Sequence, residues 1–106
     1  MSLTPGDAAP EFQVMDDAGV ERSLADFAGR TLVLYFYPKD ETPGCTQEAQ
    51  DFRDLAAEFE QKGAVVVGVS SKDSVASHQK FKKKHSLPFT LLSDPTGQMI
   101  EAYGVW

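Results

Sequence analysis

Residues 11–23 alternate: Phe12 and Val14 sit between polar neighbours, residues 16–19 supply turn formers, and the chain resumes at Val20. That pattern predicts a β-hairpin. Residues 23–26 (SLAD) form a capping-box pattern with Asp in the acidic position, so a short helical turn is expected there, ended by Gly29. Residues 31–37 (TLVLYFY) are apolar without alternation and stop at Pro38. A run of this kind suits a strand covered on both faces, as in a parallel sheet flanked by helices. Residues 46–61 place Ala49, Phe52, Ala56 and Phe59 three and four apart, with Leu55 widening the stripe and Gly63 just beyond the end. This predicts an amphipathic helix. A second buried strand follows at 64–70 (AVVVGVS), then a helix over 74–85 with Val75, His78 and Phe81 on one side. A third strand is expected at 89–92, a turn at 94–97 and a last helical turn at 98–103. The strand–helix–strand–helix–strand order implies an α/β sheet with right-handed crossovers.

The 106 residues are enough for one domain, and 42% hydrophobic content supplies one core. With 10 Lys and Arg against 16 Asp and Glu, the net charge is −6, which argues against nucleic acid or an anionic membrane as a partner. No run approaches the roughly 18 apolar residues of a membrane helix. Residues 1–10 lack the basic start and apolar stretch of a secretory signal. The single cysteine cannot form an internal disulfide and suits a reducing cytoplasm. Two histidines without a Cys/His cluster give no ground for a metal site, and no cofactor is expected.

The chemistry concentrates in residues 38–46, PKDETPGCT, between a buried strand and a helix. Open α/β sheets place ligands at that end of the strands. Thr42 suits an N-cap and Pro43 the first helical position, so Cys45 falls in the first turn, where free N–H groups and the helix dipole favour an anion. A cysteine so placed has its pKa lowered from ~8.5 into roughly 3.5–7.5. A lone cysteine elsewhere in a fold is more often a small buried hydrophobe. Asp40, Glu41, Glu48 and Asp51 oppose the thiolate, and Lys39 offsets them in part.

Pro38, Thr42 and Cys45 match the Pro-x-x-x-Thr-x-x-Cys pattern of peroxiredoxins, and the longer string YPKDETPGCTQEA resembles the bacterioferritin comigratory protein or peroxiredoxin Q branch. GDAAPEF, GVSSKDSVASHQKF, LPFTLLSD and YGVW extend the resemblance over nearly the whole chain. The resemblance implies a single thioredoxin-like α/β domain over 1–106: an N-terminal hairpin and a β-α-β-α-β core, without the later strands and last helix of the family. It implies a thiol peroxidase in which Cys45 attacks hydrogen peroxide or an organic hydroperoxide and becomes a sulfenic acid. Thr42 and the N–H groups around Gly44 and Cys45 would orient the peroxide, while Pro38 and Pro43 would shape its pocket. The resolving cysteine carried by many members of the branch is replaced by Gln50, which implies an external reductant such as thioredoxin or another small thiol, or a cysteine beyond Trp106 in a longer parent. None of Arg22, Arg30 and Arg53 matches the family's active-site arginine. In the family sheet the strand matching residues 32–37 is central; here it becomes an apolar edge, which implies self-association.

The remaining residues read more plainly. His78 is expected to be packed and hydrogen-bonded, His85 to lie on the surface, and Arg53 to be solvated. Lys80, Lys82, Lys83 and Lys84 fit a helix C-terminus, Asp16 and Asp17 a turn, and Trp106 packing. Two other functions stay open. One is a thioredoxin-like disulfide oxidoreductase, for which Thr42 stands where a first thiol is needed; the other is a catalytically impaired, truncated module.

Overall fold

The computed structural model describes residues 3–105; Trp106 lies outside them. Strands β1 (Gln13–Asp16) and β2 (Glu21–Ser23) form the expected hairpin. Asp16 closes its turn, its carboxylate accepting from the N–H groups of Ala18 and Val20, both at 2.9 Å. A 3-10 turn follows at Leu24–Phe27, where the Ser23 N–H donates to the Asp26 carboxylate at 2.8 Å. The core is β3 (Thr31–Phe36), α1 (Pro43–Gln61), β4 (Ala64–Ser70), α2 (Val75–His85) and β5 (Thr90–Ser93), and α3 (Gln98–Tyr103) ends the described chain.

The sheet order is β2-β1-β5-β4-β3; β3, β4 and β5 are parallel, and β1 runs antiparallel to β5. Its two faces bury different residues. Val33, Tyr35, Val66 and Leu91 face α1 and α2, packing with Ala49, Phe52, Phe59 and Phe81. Leu34, Phe36, Val67, Val69 and Leu92 face Phe12, Phe27, Met99 and Tyr103. β4 therefore serves two cores at once, as its unbroken apolar run implies. Gly68 interrupts that run because the Tyr35 ring crosses it: a Cβ there would stand 2.8 Å from Tyr35 Cζ and 3.0 Å from Leu91 Cδ2.

Several expectations need adjustment. α1 begins at Pro43, three residues earlier than the apolar stripe suggested, because a proline suited to the first helical position, rather than hydrophobic spacing, marks its start. β5 is shifted one residue, to 90–93. β3 is an edge among the described strands, so Leu32, Val33 and Leu34 are only half-buried. Leu55, expected to widen the stripe of α1, is 44% exposed.

Candidate active site

The C-terminal ends of the parallel strands meet at one end of the sheet. The Tyr37 N–H extends the β3–β4 ladder by one bond, to the Val69 carbonyl at 3.0 Å. The chain then leaves the sheet at Pro38. Glu41 takes a left-handed conformation, with φ +67°, which is strained for a residue with a Cβ. Thr42 is the N-cap of α1, and its carbonyl accepts from the Thr46 N–H at 2.8 Å.

Cys45 is the third residue of the helix and is 9% exposed. It packs in the cluster that holds Tyr35, Tyr37 and Ala49. Pro43 supplies no N–H, and the Thr42 side chain does not cap the helix. The Gly44 and Cys45 N–H groups thus lie at an end that favours negative charge. The Thr42 hydroxyl instead donates to the Lys39 carbonyl at 3.1 Å. Among the described residues no hydrogen bond joins it to the Cys45 thiol. Pro38, Pro43 and Gly44 are exposed around the loop, and Thr42 is half-buried.

The acids that oppose a thiolate are arranged unequally. Asp40 is 3% exposed, and its Oδ2 lies 2.8 Å from His78 Nδ1. Glu41 pairs with Lys84 at 2.9 Å and lies 3.6 Å from His85 Nε2. The Asp51 carboxylate accepts from the Gln47 amide at 2.9 Å. Burial, and then repulsion from Asp51, pushes the Glu48 carboxyl above its ordinary range. Burial, followed by the negative charge of Glu48, Asp40 and Cys45, raises the Tyr35 phenol. The Tyr37 phenol is raised by burial and then by Asp40, so it stays a hydrogen donor.

Behind the loop lies a polar cluster that sequence reading met only in part. His78, fully buried, is packed and hydrogen-bonded as expected. Ser70, the last residue of β4, and Asp73, in the loop before α2, join it without any local motif to announce them. The Asp73 carboxylate accepts from the Asp40 N–H at 2.8 Å and from the Ser70 hydroxyl at 2.6 Å. Asp40, Asp73 and His78 each offer a ligand atom within 4.8 Å of the others, the spacing of a metal site. Their carboxylate oxygens already accept from Tyr37, Ser70, Ser77 and the backbone, and a cation would have to break those bonds.

His85 and Arg53 depart from expectation. The His85 side chain is 13% exposed; its ring meets the Phe81 edge at 5.1 Å, and its Nδ1 lies 3.3 Å from the Gln50 amide nitrogen. Arg53 is not simply solvated, since its guanidinium donates to the His85 carbonyl at 3.0 Å and ties α1 to the end of α2. Lys82 pairs with Asp17 at 3.0 Å. A cavity of about 450 Å³ flanks the loop, lined by Glu41, Ser77, Lys80 and Lys84. A more apolar one of about 470 Å³, between Val14, Val75, Ser93 and Pro95, does not include Cys45.

Comparison with known proteins places this arrangement. The AhpC/TSA family model matches residues 5–106. The chain is 52% identical over 105 residues to a putative peroxiredoxin bcp of Coxiella burnetii, covering 99% of this chain and 69% of that protein. It is 49% identical over 106 residues to the peroxiredoxin Bcp of Bacillus subtilis, covering 100% and 67%. Among solved structures, a peroxiredoxin Q of Xanthomonas campestris superimposes with a TM-score of 0.84 at 43% identity, over 88% of this chain. This chain spans 58% of that one.

Proposed function

The chain belongs to the AhpC/TSA family, and from that premise we propose that it is the cysteine-bearing part of a thiol-dependent peroxidase. The observation that carries the reading is the position of Cys45, in the first turn of α1 at the C-terminal end of β3. The Cys45 thiolate attacks one oxygen of hydrogen peroxide or an organic hydroperoxide. The O–O bond breaks, the leaving oxygen takes a proton and departs as water or an alcohol, and the sulfur becomes a sulfenic acid. The Gly44 and Cys45 N–H groups face the charge that develops on the leaving oxygen. With its hydrogen donated to the Lys39 backbone carbonyl, the Thr42 oxygen keeps lone pairs free to accept from the peroxide and orient it. Pro38 and Pro43 shield the sulfenic acid from water.

Gln50 cannot condense with that sulfenic acid. It is resolved by an external thiol, such as thioredoxin or a small thiol, or by a cysteine beyond Trp106 in a longer protein: the thiol expels water to form a disulfide with Cys45, and a second thiol releases the enzyme. This chemistry suits a reducing compartment such as the cytoplasm. The outer edge of β3, last in the sheet among the described residues, offers a site for self-association, a reading that concentration-dependent sedimentation tests. The central test is Cys45→Ser. It is expected to abolish peroxide consumption and the added oxygen mass seen on the intact chain, because an alcohol is a poor nucleophile at neutral pH. Retained consumption would refute the assignment.

A further inference from the structure

The buried cluster behind the loop has a definite proton arrangement. His78 Nε2 lies 3.1 Å from the Leu92 carbonyl oxygen, which can only accept, so Nε2 carries a hydrogen. Nδ1 lies 2.8 Å from Asp40 Oδ2. The same carboxylate meets the Tyr37 hydroxyl at 2.7 Å on Oδ1 and the Ser77 hydroxyl at 3.0 Å on Oδ2. The Tyr37 hydroxyl donates to Asp40, and the one hydrogen of the Ser77 hydroxyl is shared between Asp40 and Asp73, the latter at 3.3 Å; this setting suits the ionised form of Asp40, an acceptor only, with a hydrogen on Nδ1. Asp73 holds the Asp40 backbone from the other side. The loop is thus tied to the end of β4 through Asp73 and to the end of β5 through His78 and Leu92.

We propose that His78, held as an imidazolium between the Leu92 carbonyl and the Asp40 carboxylate, is a positioning residue for Cys45: it neutralises a buried acid of the loop and locks the loop to the ends of β4 and β5. The inference rests on the peroxidase reading. It has two consequences. Cys45 packs in one cluster with Tyr37, whose hydroxyl meets Asp40 at 2.7 Å, so an unpaired Asp40 charge there would oppose the thiolate. The loop also carries a strained Glu41 just before the helix, and such a conformation persists only where the surroundings over-determine it.

Two measurements on the 106-residue chain test this. In a nitrogen-15 spectrum of the ring at neutral pH, both His78 nitrogens are expected to carry protons; a bare Nδ1 would overturn the proposal. His78→Gln and Asp40→Asn are each expected to slow the reaction of Cys45 with hydrogen peroxide about tenfold or more, since small misplacements at a reacting centre are costly. Alkylation of Cys45 by iodoacetamide needs the thiolate but no aligned peroxide, so it is expected to slow in His78→Gln, which leaves the Asp40 charge unpaired, and to stay within about threefold of the parent in Asp40→Asn, which removes it. A merely structural role would expose Cys45 and speed alkylation, and an unchanged peroxide rate would remove the positioning role; either result overturns the proposal. If both variants fail to fold, the spectrum of the intact chain still decides. If the intact chain does not react with peroxide, the peroxidase reading falls, while the spectrum and the alkylation rates still report on the clamp.

Discussion

Asp40 and Glu41 are neighbouring acids in one loop, and the fold gives them opposite settings. Asp40 is 3% exposed and accepts from a phenol, a hydroxyl and an imidazole. The Glu41 side chain is 45% exposed and meets Lys84, itself 64% exposed. Water screens the second pair and cannot reach the first. A surface ion pair contributes about 0–1 kcal/mol. Breaking a buried one leaves an uncompensated charge and costs about 3–5 kcal/mol. The inner contacts therefore set the geometry of the loop before Cys45, and the outer ones adjust it.

The sharpest way to break this comparison is Asp40→Ala. It strands His78 and leaves the Tyr37 hydroxyl without its acceptor. The expected loss of stability is about 3–5 kcal/mol, a large share of the about 5–15 kcal/mol that holds an ordinary domain. Urea unfolding followed by circular dichroism measures it. A loss below about 1 kcal/mol would place Asp40 on the same footing as the surface pairs.

The sequence made some of this legible and hid the rest for physical reasons. Apolar runs announced β3 and β4 because both strands send side chains into the clusters on both faces of the sheet. Thr42, Pro43 and Cys45 were legible because capping chemistry and helix position are local. His78 could be read as a packed histidine from its place beside Phe81 on one helical face. Its partner could not be read, since Asp40 lies 38 residues away and only the sheet topology brings the two together. Asp40 looked like one more charge against the thiolate, because sequence distance carries no information about pairing. Asp73 and Gly68 needed the structure too: one acts through a backbone N–H, the other through the space it leaves for Tyr35. Leu55 misled because the spacing records which side of a helix is apolar, not which of those residues meet a neighbour: it is 44% exposed.

A gentler probe works on the outer member. Glu41→Gly gives up an exposed pair with Lys84 and releases the left-handed strain at φ +67°. The strain relieved is about 1–2 kcal/mol and the pair lost about 0–1 kcal/mol, while glycine adds freedom to the unfolded chain. The net change in stability is expected to stay within about 1 kcal/mol of zero. Added salt should change the parent more than the variant, because only the parent has the pair to screen. A loss as large as that of Asp40→Ala would mean that the surface pair holds the loop after all.

Glu48 stands between the two cases and carries the smallest expected effect. It is partly covered, has no cationic partner among the described residues, and lies one helical turn from Asp51. Burial, and then Asp51, raises its carboxyl above the ordinary range. For an acid whose folded pKa is raised, the folded state binds the proton more tightly than the unfolded chain does. The cost is then fully present above the folded pKa and vanishes as pH falls below the unfolded value of about 4.3. Glu48→Gln is therefore expected to stabilise the chain at pH 7 by about 0.2–0.5 kcal/mol, the scale of a like-charge pair on a helix surface. The gain should disappear near pH 3, where parent and variant are both neutral at this position. Thermal melts of both proteins across that range check the sign, and a variant that melts lower than the parent at pH 7 would show that the Glu48 carboxylate supports the helix rather than opposing it.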